Sequence, residues 1–76
     1  MISVVALYHF APIADPAAVR GPLFAFCEAR AIKGTLLLAS EGINGTVAGS
    51  REVLEELVGH IRSWDGFAAM EVKYSN

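Results

Sequence analysis

Hydrophobic and polar positions along the chain follow two periods, one typical of strands and one typical of helices. The stretch ISVVALYHF, residues 2–10, is apolar in both phases, which indicates a strand with neighbours on each side. Residues 35–39 (TLLLA) and 43–48 (INGTVA) are two further short apolar runs. Residues 70–75 alternate apolar and polar side chains, as in a strand at a sheet edge with one buried face. The pattern therefore predicts four strands, the first of them central.

Two amphipathic helices are predicted between these strands. Asp15 and Pro16 fit the cap and the first position of one helix, and Ser50 fits the cap of the other, which is predicted to run to Asp65-Gly66. Pro22 predicts a kink or a restart, because proline cannot donate to the carbonyl four residues back. The apolar stripes are Val19, Leu23, Phe26 and Cys27 in the first helix and Leu54, Leu57, Val58, Ile61 and Trp64 in the second.

The order strand, helix, strand, strand, helix, strand predicts one ferredoxin-like α+β domain over residues 1–76. In this fold two helices cover one face of a four-stranded antiparallel sheet, and right-handed crossovers place the first and third strands in the centre. The other face of the sheet is left bare. Val5 and Leu7 are expected to need covering there, which predicts a partner for this face, including self-association of the chain.

The amino-acid composition and the net charge indicate which classes of protein this chain could belong to. The apolar fraction of 54% is above the usual share and the charged fraction of 18% is below it, which also favours a surface that meets a partner. A net charge of −2 is unusual for a domain that binds nucleic acid unaided. No apolar run predicts a membrane span or a signal peptide. A single cysteine, Cys27, excludes an internal disulfide and fits a reducing cytoplasm.

The residues that could carry catalysis form no recognisable arrangement. Cys27 lies on an apolar stripe with no sequence cue for an activating base, so an inert thiol is predicted. His9 and His60 lack ligand spacing, and surface roles are predicted for both. The carboxylates at helix starts and faces are Asp15, Glu28, Glu52, Glu55 and Glu56. No catalytic residue, metal or cofactor is therefore assigned to this chain.

Two activities found on ferredoxin-like domains receive little support from the sequence. Acylphosphatases hold phosphate in a glycine-rich loop after the first strand, but residues 11–21 lack clustered glycines and Arg20 follows a predicted helical turn. RNA-recognition modules stack bases on aromatic side chains of the central strands, and residues 43–48 contain none.

The stretch SEGING, residues 40–45, joins the second and third predicted strands. Glycine and asparagine fit a bend, so the connection is predicted over Ser40–Gly42 and as far as Gly45. The bend does not explain Glu41. A hairpin tip with a carboxylate, a carboxamide and bare backbone could also contact a ligand, and both interpretations remain open at this point.

Residues 33–49, KGTLLLASEGINGTVAG, with residues 2–10 before them and 70–76 after them, resemble the amino-terminal domain of the rhodanese-containing tRNA uridine hydroxylases. The family signature G-x-L-x-x-A-x-E-G-I-N corresponds to Gly34, Leu36, Ala39, Glu41, Gly42, Ile43 and Asn44. The resemblance implies an acylphosphatase-like domain that precedes a rhodanese domain. It also implies an enzyme that uses molecular oxygen to hydroxylate the wobble uridine of certain tRNAs. The rhodanese cysteine would lie beyond Asn76, so no catalytic residue is carried onto this chain.

The resemblance implies an accessory role, in which the domain positions tRNA or packs on the rhodanese domain. The candidate contact residues are Glu41, Gly42, Asn44, Gly45, Lys33, Arg20 and Lys73. The alternative is a stand-alone ferredoxin-like module that binds a small molecule or a protein without catalysis. Sequence downstream of Asn76 would separate the two.

Overall fold

The structure, a computed structural model, describes residues 2–76 and contains one sheet with two helices. Its elements are β1 (Ser3–Phe10), α1 (Pro16–Ala29), β2 (Lys33–Ala39), β3 (Gly42–Gly49), α2 (Arg51–Arg62) and β4 (Glu71–Ser75). The strands pair antiparallel in the order β2-β3-β1-β4. The predicted ferredoxin-like arrangement is confirmed, with the first and third strands in the centre and β4 at an edge.

Both helices begin at the predicted capping residues. The Asp15 side chain accepts a hydrogen bond from the backbone N–H of Ala18 at 3.2 Å. The Ser50 hydroxyl accepts one from the N–H of Val53 at 3.3 Å. Each bond satisfies an N–H that has no partner inside its helix. α1 continues through Pro22 as a single helix, so the restart considered for this position does not occur.

The core lies between the helices and one face of the sheet. Its buried members from strands and helices are Val5, Leu7, Ile43, Val47, Leu23, Leu54, Leu57, Val58 and Ile61. The predicted stripe of α2 is confirmed by Leu57 and Ile61, both fully buried. Ile13, Ile32 and Phe67 are also buried, although they lie in the segments between the elements, where the sequence pattern did not point to them.

α2 ends earlier than predicted. Its last residue is Arg62 and its cap is Ser63, so the extension to Asp65-Gly66 is wrong. Trp64 therefore lies beyond the helix, where it is half-buried against the core.

Two side chains hold the segment after α2 in place, His9 from β1 and Arg62 from the end of α2. His9 Nε2 donates to the Gly66 carbonyl at 2.8 Å. The Arg62 guanidinium donates to the Met70 carbonyl at 2.7 and 3.1 Å. These bonds hold the segment in the conformation that buries the Phe67 ring, which contacts the His9 ring with centroids 5.0 Å apart. His9 thus has a structural role.

A cluster of four side chains connects the two helices. Arg30 Nε lies 3.2 Å from Glu56 Oε1, and the same guanidinium lies 3.6 Å from the centroid of the Phe26 ring. The His60 ring stacks on Phe26 with centroids 4.4 Å apart. Both helices lie on one face of the sheet, and no helix of residues 2–76 covers the opposite face.

Candidate functional site

Within residues 2–76, no helix covers the second face of the sheet. Every other side chain of β1 points to this uncovered face. Val5 and Leu7 are 0% and 2% exposed beneath the helices, so the prediction that they need covering on the bare face is wrong. The residues that alternate with them point the other way: Val4, Ala6, Tyr8 and Phe10. Because β1 is apolar in both phases, its sequence could not decide between these two sets.

Strand register places four rows of residues across this surface, which is called the open face below. The rows are Ala39, Gly42 and Phe10; Leu37, Asn44, Tyr8 and Glu71; Thr35, Thr46, Ala6 and Lys73; and Lys33, Ala48, Val4 and Ser75. The open face therefore combines apolar, amide and charged side chains on one side of the sheet.

Tyr8 and Phe10 form an exposed aromatic pair on the open face. Their ring centroids lie 4.9 Å apart in an edge-to-face arrangement, and the residues are 54% and 69% exposed. Aromatic side chains were sought on the third strand, where there are none, but β1 is also a central strand and carries two. The signal that could have revealed them is their spacing of two positions, which puts both on one face.

Asn44 lies within β3 and not in a bend. It pairs with Leu37 on one side and with Tyr8 on the other, and its side chain is exposed. Among residues 2–76 the only non-glycine residue with positive φ is Ala31, so Asn44 does not have the left-handed conformation that many bends require. The carboxamide makes no hydrogen bond to any other described residue. It is therefore available to a partner.

The connection between β2 and β3 is only two residues long, Ser40 and Glu41, so the prediction that it reaches Gly42 or Gly45 is wrong. The Glu41 carbonyl accepts a hydrogen bond from the Ala11 N–H at 3.0 Å. The Ser40 carbonyl accepts one from the Ile13 N–H at 2.9 Å. The segment after β1 thus holds the turn, while the Glu41 side chain points to solvent.

Gly42 and Gly45 serve the packing of the sheet. A Cβ at Gly45 would lie 2.8 Å from the Leu36 Cα and closer still to the carbonyl oxygen of Thr35. A Cβ at Gly42 would likewise collide with the His9 carbonyl. Gly45 pairs with Leu36 and is absent from the open face, whereas Gly42 lies opposite Phe10 and leaves that ring uncovered.

The remaining sequence candidates divide between the two sides of the molecule. Lys33 and Lys73 lie on the open face with Asn44. Arg20 lies on α1, on the helix side, so the structure does not bring it to this surface. Three of the seven candidates thus share a surface through their side chains, whereas Gly42 lies in a row of the same face but is buried.

Negative charge is concentrated on the helix side. Apart from Glu41 at the hairpin turn and Glu71 in β4, the acidic residues are Asp15, Glu28, Glu52, Glu55, Glu56 and Asp65, all in or beside the helices. The open face carries Lys33 and Lys73 against Glu71 alone. The net charge of −2 therefore conceals a sheet surface with a small positive excess.

A concavity of about 370 Å³ lies between α1 and β2 on the helix side. Cys27 contributes to its lining and is half-buried. Burial raises the pKa of the Cys27 thiol above its ordinary value, and the nearby Arg30 charge opposes this only in part. The thiol is therefore held in its protonated, unreactive form at neutral pH.

Two further observations concern metal binding and the crossing of a membrane. No group of three or more His, Cys, Asp or Glu side chains within residues 2–76 is arranged to hold a metal ion. None of the helices in this part of the chain has the length and apolar character needed to cross a membrane.

Comparison with known proteins shows what this chain resembles. Residues 2–76 match the family model described as the UPF0176 acylphosphatase like domain. The tRNA uridine(34) hydroxylase of Gluconobacter oxydans is 58% identical over 74 residues, which is 97% of this chain and 24% of the relative. The enzyme of the same name from Mesorhizobium japonicum is 59% identical over 75 residues, 99% of this chain and 24% of the relative. That of Brucella ovis is 53% identical over 74 residues, with 97% and 24% covered. The chain thus spans about a quarter of the length of these curated relatives.

Proposed function

Since the chain belongs to the UPF0176 acylphosphatase-like domain family, we propose that it acts as an accessory domain of a tRNA uridine(34) hydroxylase. The observation that carries the proposal is the match of nearly this entire chain to one quarter of enzymes with that name. The complete protein would convert the wobble uridine of tRNA to 5-hydroxyuridine with molecular oxygen as co-substrate. A rhodanese domain would follow this domain in the same chain.

The side chains of this domain favour a positioning role over a catalytic one. The Cys27 thiol is kept protonated by its surroundings. His9 is bonded to the Gly66 carbonyl, and His60 is stacked on Phe26. The groups most suited to nucleophilic or acid-base chemistry are therefore engaged in structural contacts or held in an unreactive form.

The open face is the surface through which the domain would act. It holds Asn44, Lys33 and Lys73 from the sequence candidates, together with the aromatic pair Tyr8 and Phe10. Such a surface can position tRNA or pack on the rhodanese domain. The alternative of a stand-alone binding module has less support, because in the relatives the matching sequence is part of a much longer chain. Both a tRNA substrate and the free Cys27 suit the cytoplasm.

The proposal is tested in cells that lack their own tRNA uridine(34) hydroxylase. The full-length enzyme and a version without residues 1–76 are expressed to equal abundance, and 5-hydroxyuridine in tRNA is quantified by mass spectrometry. The proposal expects the truncated enzyme to lose product while its remaining part still unfolds cooperatively on heating. Full product from the truncated enzyme would overturn it.

A further inference from the structure

We propose that the open face binds unpaired RNA nucleotides, with bases stacked on Tyr8 and Phe10. This inference rests on the proposed function, which supplies tRNA as the RNA concerned. It deepens that function by naming the surface, the side chains and the part of the RNA that they recognise. Unpaired nucleotides are the part of an RNA whose bases can be splayed onto aromatic rings, whereas the bases of a duplex are already stacked.

The aromatic pair has the exposure that stacking requires. Tyr8 and Phe10 do not belong to the hydrophobic core, and both rings project from a central strand of the sheet. Gly42, the strand neighbour of Phe10, has no side chain that could cover the ring. The edge-to-face contact with a centroid distance of 4.9 Å limits the movement of each ring before an RNA arrives.

Asn44 lies beside Tyr8 in the next strand and supplies the polar group that a stacked base needs. Cross-strand neighbours of this kind have Cβ atoms about 4.5–5.5 Å apart, so the carboxamide lies within reach of a base on the Tyr8 ring. It can both donate and accept hydrogen bonds, and it has no partner among residues 2–76.

Charge on the open face indicates where the phosphates would run. Lys73 lies opposite Ala6, in the row next to Tyr8, and Lys33 lies two rows from Tyr8 at the other edge of the sheet. Glu71 lies opposite Tyr8 and repels phosphate there. The RNA backbone is therefore expected to pass over the lysine rows, with its bases directed towards Tyr8 and Phe10.

A shallow depression of about 360 Å³ coincides with this arrangement. It is lined on the open face by Ala6, Tyr8, Asn44, Thr46, Glu71 and Lys73. Ala6, which pairs with Lys73 and lies one row from Tyr8, has a small side chain, which leaves room for the sugar that links a stacked base to its phosphate.

The charges favour RNA over a protein as the occupant of the open face. The helix side carries six acidic residues against four arginines, whereas the open face carries two lysines against Glu71, so an anionic chain meets the least net repulsion on the sheet. The apolar side chains Val4, Ala6, Tyr8 and Phe10 form a narrow strip along β1, because Asn44 separates Tyr8 from Leu37. A stable protein interface buries a larger continuous apolar area at its centre.

Binding is measured with the full-length hydroxylase and a fluorescent anticodon stem-loop RNA that has uridine at the wobble position. A blunt RNA duplex of equal length is the RNA control. Tyr8→Leu and Phe10→Leu remove the aromatic ring but keep an apolar side chain. Tyr8→Phe keeps the ring and removes only the hydroxyl group. Phe24→Leu is the matched protein control, because Phe24 is 66% exposed but lies on α1. Thermal unfolding confirms that each variant is folded.

The expected result is a loss of affinity for the stem-loop of about tenfold for each leucine variant, as for the loss of one stacked base. Tyr8→Phe and Phe24→Leu should both keep the wild-type affinity for the stem-loop. The affinity for the duplex should be the same in the wild type and in these variants. Lys73→Gln should instead reduce the slope of log affinity against log salt by about 0.7, the contribution of one phosphate on a single strand.

Three results would overturn the inference: no binding of the stem-loop by the wild-type enzyme, wild-type affinity in both leucine variants, or an equal loss of duplex binding. Two results together would assign the open face to a protein contact. The leucine variants would keep the wild-type affinity, and Phe10→Glu would lower the unfolding midpoint of the full-length enzyme. If the truncated enzyme also loses 5-hydroxyuridine, the accessory function survives and only the stacking inference fails. Full product after truncation rejects both.

Discussion

Gly45 shows how closely β2 and β3 approach, because an added Cβ would lie 2.8 Å from the Leu36 Cα. We expect Gly45→Ala to lower the free energy of unfolding by about 2 kcal/mol or more, since the neighbouring strand leaves no room for a side chain. Gly59→Ala is the control: Gly59 lies inside α2 with open space around it, and alanine there should raise stability by about 0.5–1 kcal/mol. Urea unfolding measures both. Equal stability of the Gly45→Ala protein and the wild type would contradict the close approach.

Asn44 and Glu41 are exposed, so a role of their side chains in function can be tested without disturbing the fold. Neither side chain has a hydrogen-bond partner or an ion pair among residues 2–76. We therefore expect Asn44→Ala and Glu41→Gln to change the free energy of unfolding by less than about 0.5 kcal/mol. If they contact tRNA, both should reduce 5-hydroxyuridine formation by the full-length enzyme. A large loss of stability with either change would instead show a structural role.

Cys27 makes stability depend on alkaline pH. Burial raises the pKa of its thiol above the ordinary value of 9.0, so the folded chain holds this proton more tightly than the unfolded chain. The contribution is complete below the unfolded pKa and is lost as pH rises through the folded pKa. We expect the free energy of unfolding of the wild type to fall more steeply above about pH 9 than that of Cys27→Ala. Parallel curves in urea unfolding at several pH values would refute this.

At the scale of elements, α2 provides the largest single contribution of side chains to the core. Leu57→Ala and Ile61→Ala should each cost about 2–5 kcal/mol, because both side chains are fully buried. Glu55→Ala should cost about 0.3–0.5 kcal/mol, since it removes only an exposed pair with Arg51 at 3.0 Å. The denaturant midpoints of the three variants give the comparison. Similar losses in all three would mean that the buried face of α2 is assigned wrongly.

The buried face of α2 could be predicted because one apolar stripe meets one core. The faces of β1 could not, since both of its phases are apolar and only pairing with β3 decides which phase meets the helices. The turn between β2 and β3 was predicted too long, because Asn44 and Gly45 are common in bends. Its true limits depend on hydrogen bonds from Ala11 and Ile13, which no local pattern of residues 40–45 reveals.

Part of the candidate surface could be predicted from the sequence. Lys33, Lys73 and Asn44 do share the open face, because alternation along their strands follows from the sequence once the register is known. Tyr8 and Phe10 were missed, since aromatic residues were sought on the third strand only. Arg20 is carried to the helix side by α1.

At the scale of the whole molecule, the two sides of the sheet have different characters. The helix side holds most of the negative charge and a half-buried, protonated thiol. The open face holds exposed aromatic rings, two lysines and a carboxamide that has no hydrogen-bond partner among residues 2–76. A net charge of −2 alone argues against nucleic-acid binding, but the open face carries two lysines against one glutamate, so that objection is weaker for this face.

The central claim is that the open face lets this domain serve a tRNA uridine(34) hydroxylase through Tyr8 and Phe10. Its most direct test is the amount of 5-hydroxyuridine in tRNA from cells whose only such enzyme carries Tyr8→Leu and Phe10→Leu together, with Phe24→Leu as the control. At equal protein abundance and unfolding midpoint, we predict that the double variant has less 5-hydroxyuridine than the wild type and that the control matches the wild type. Wild-type amounts in the double variant would contradict the account.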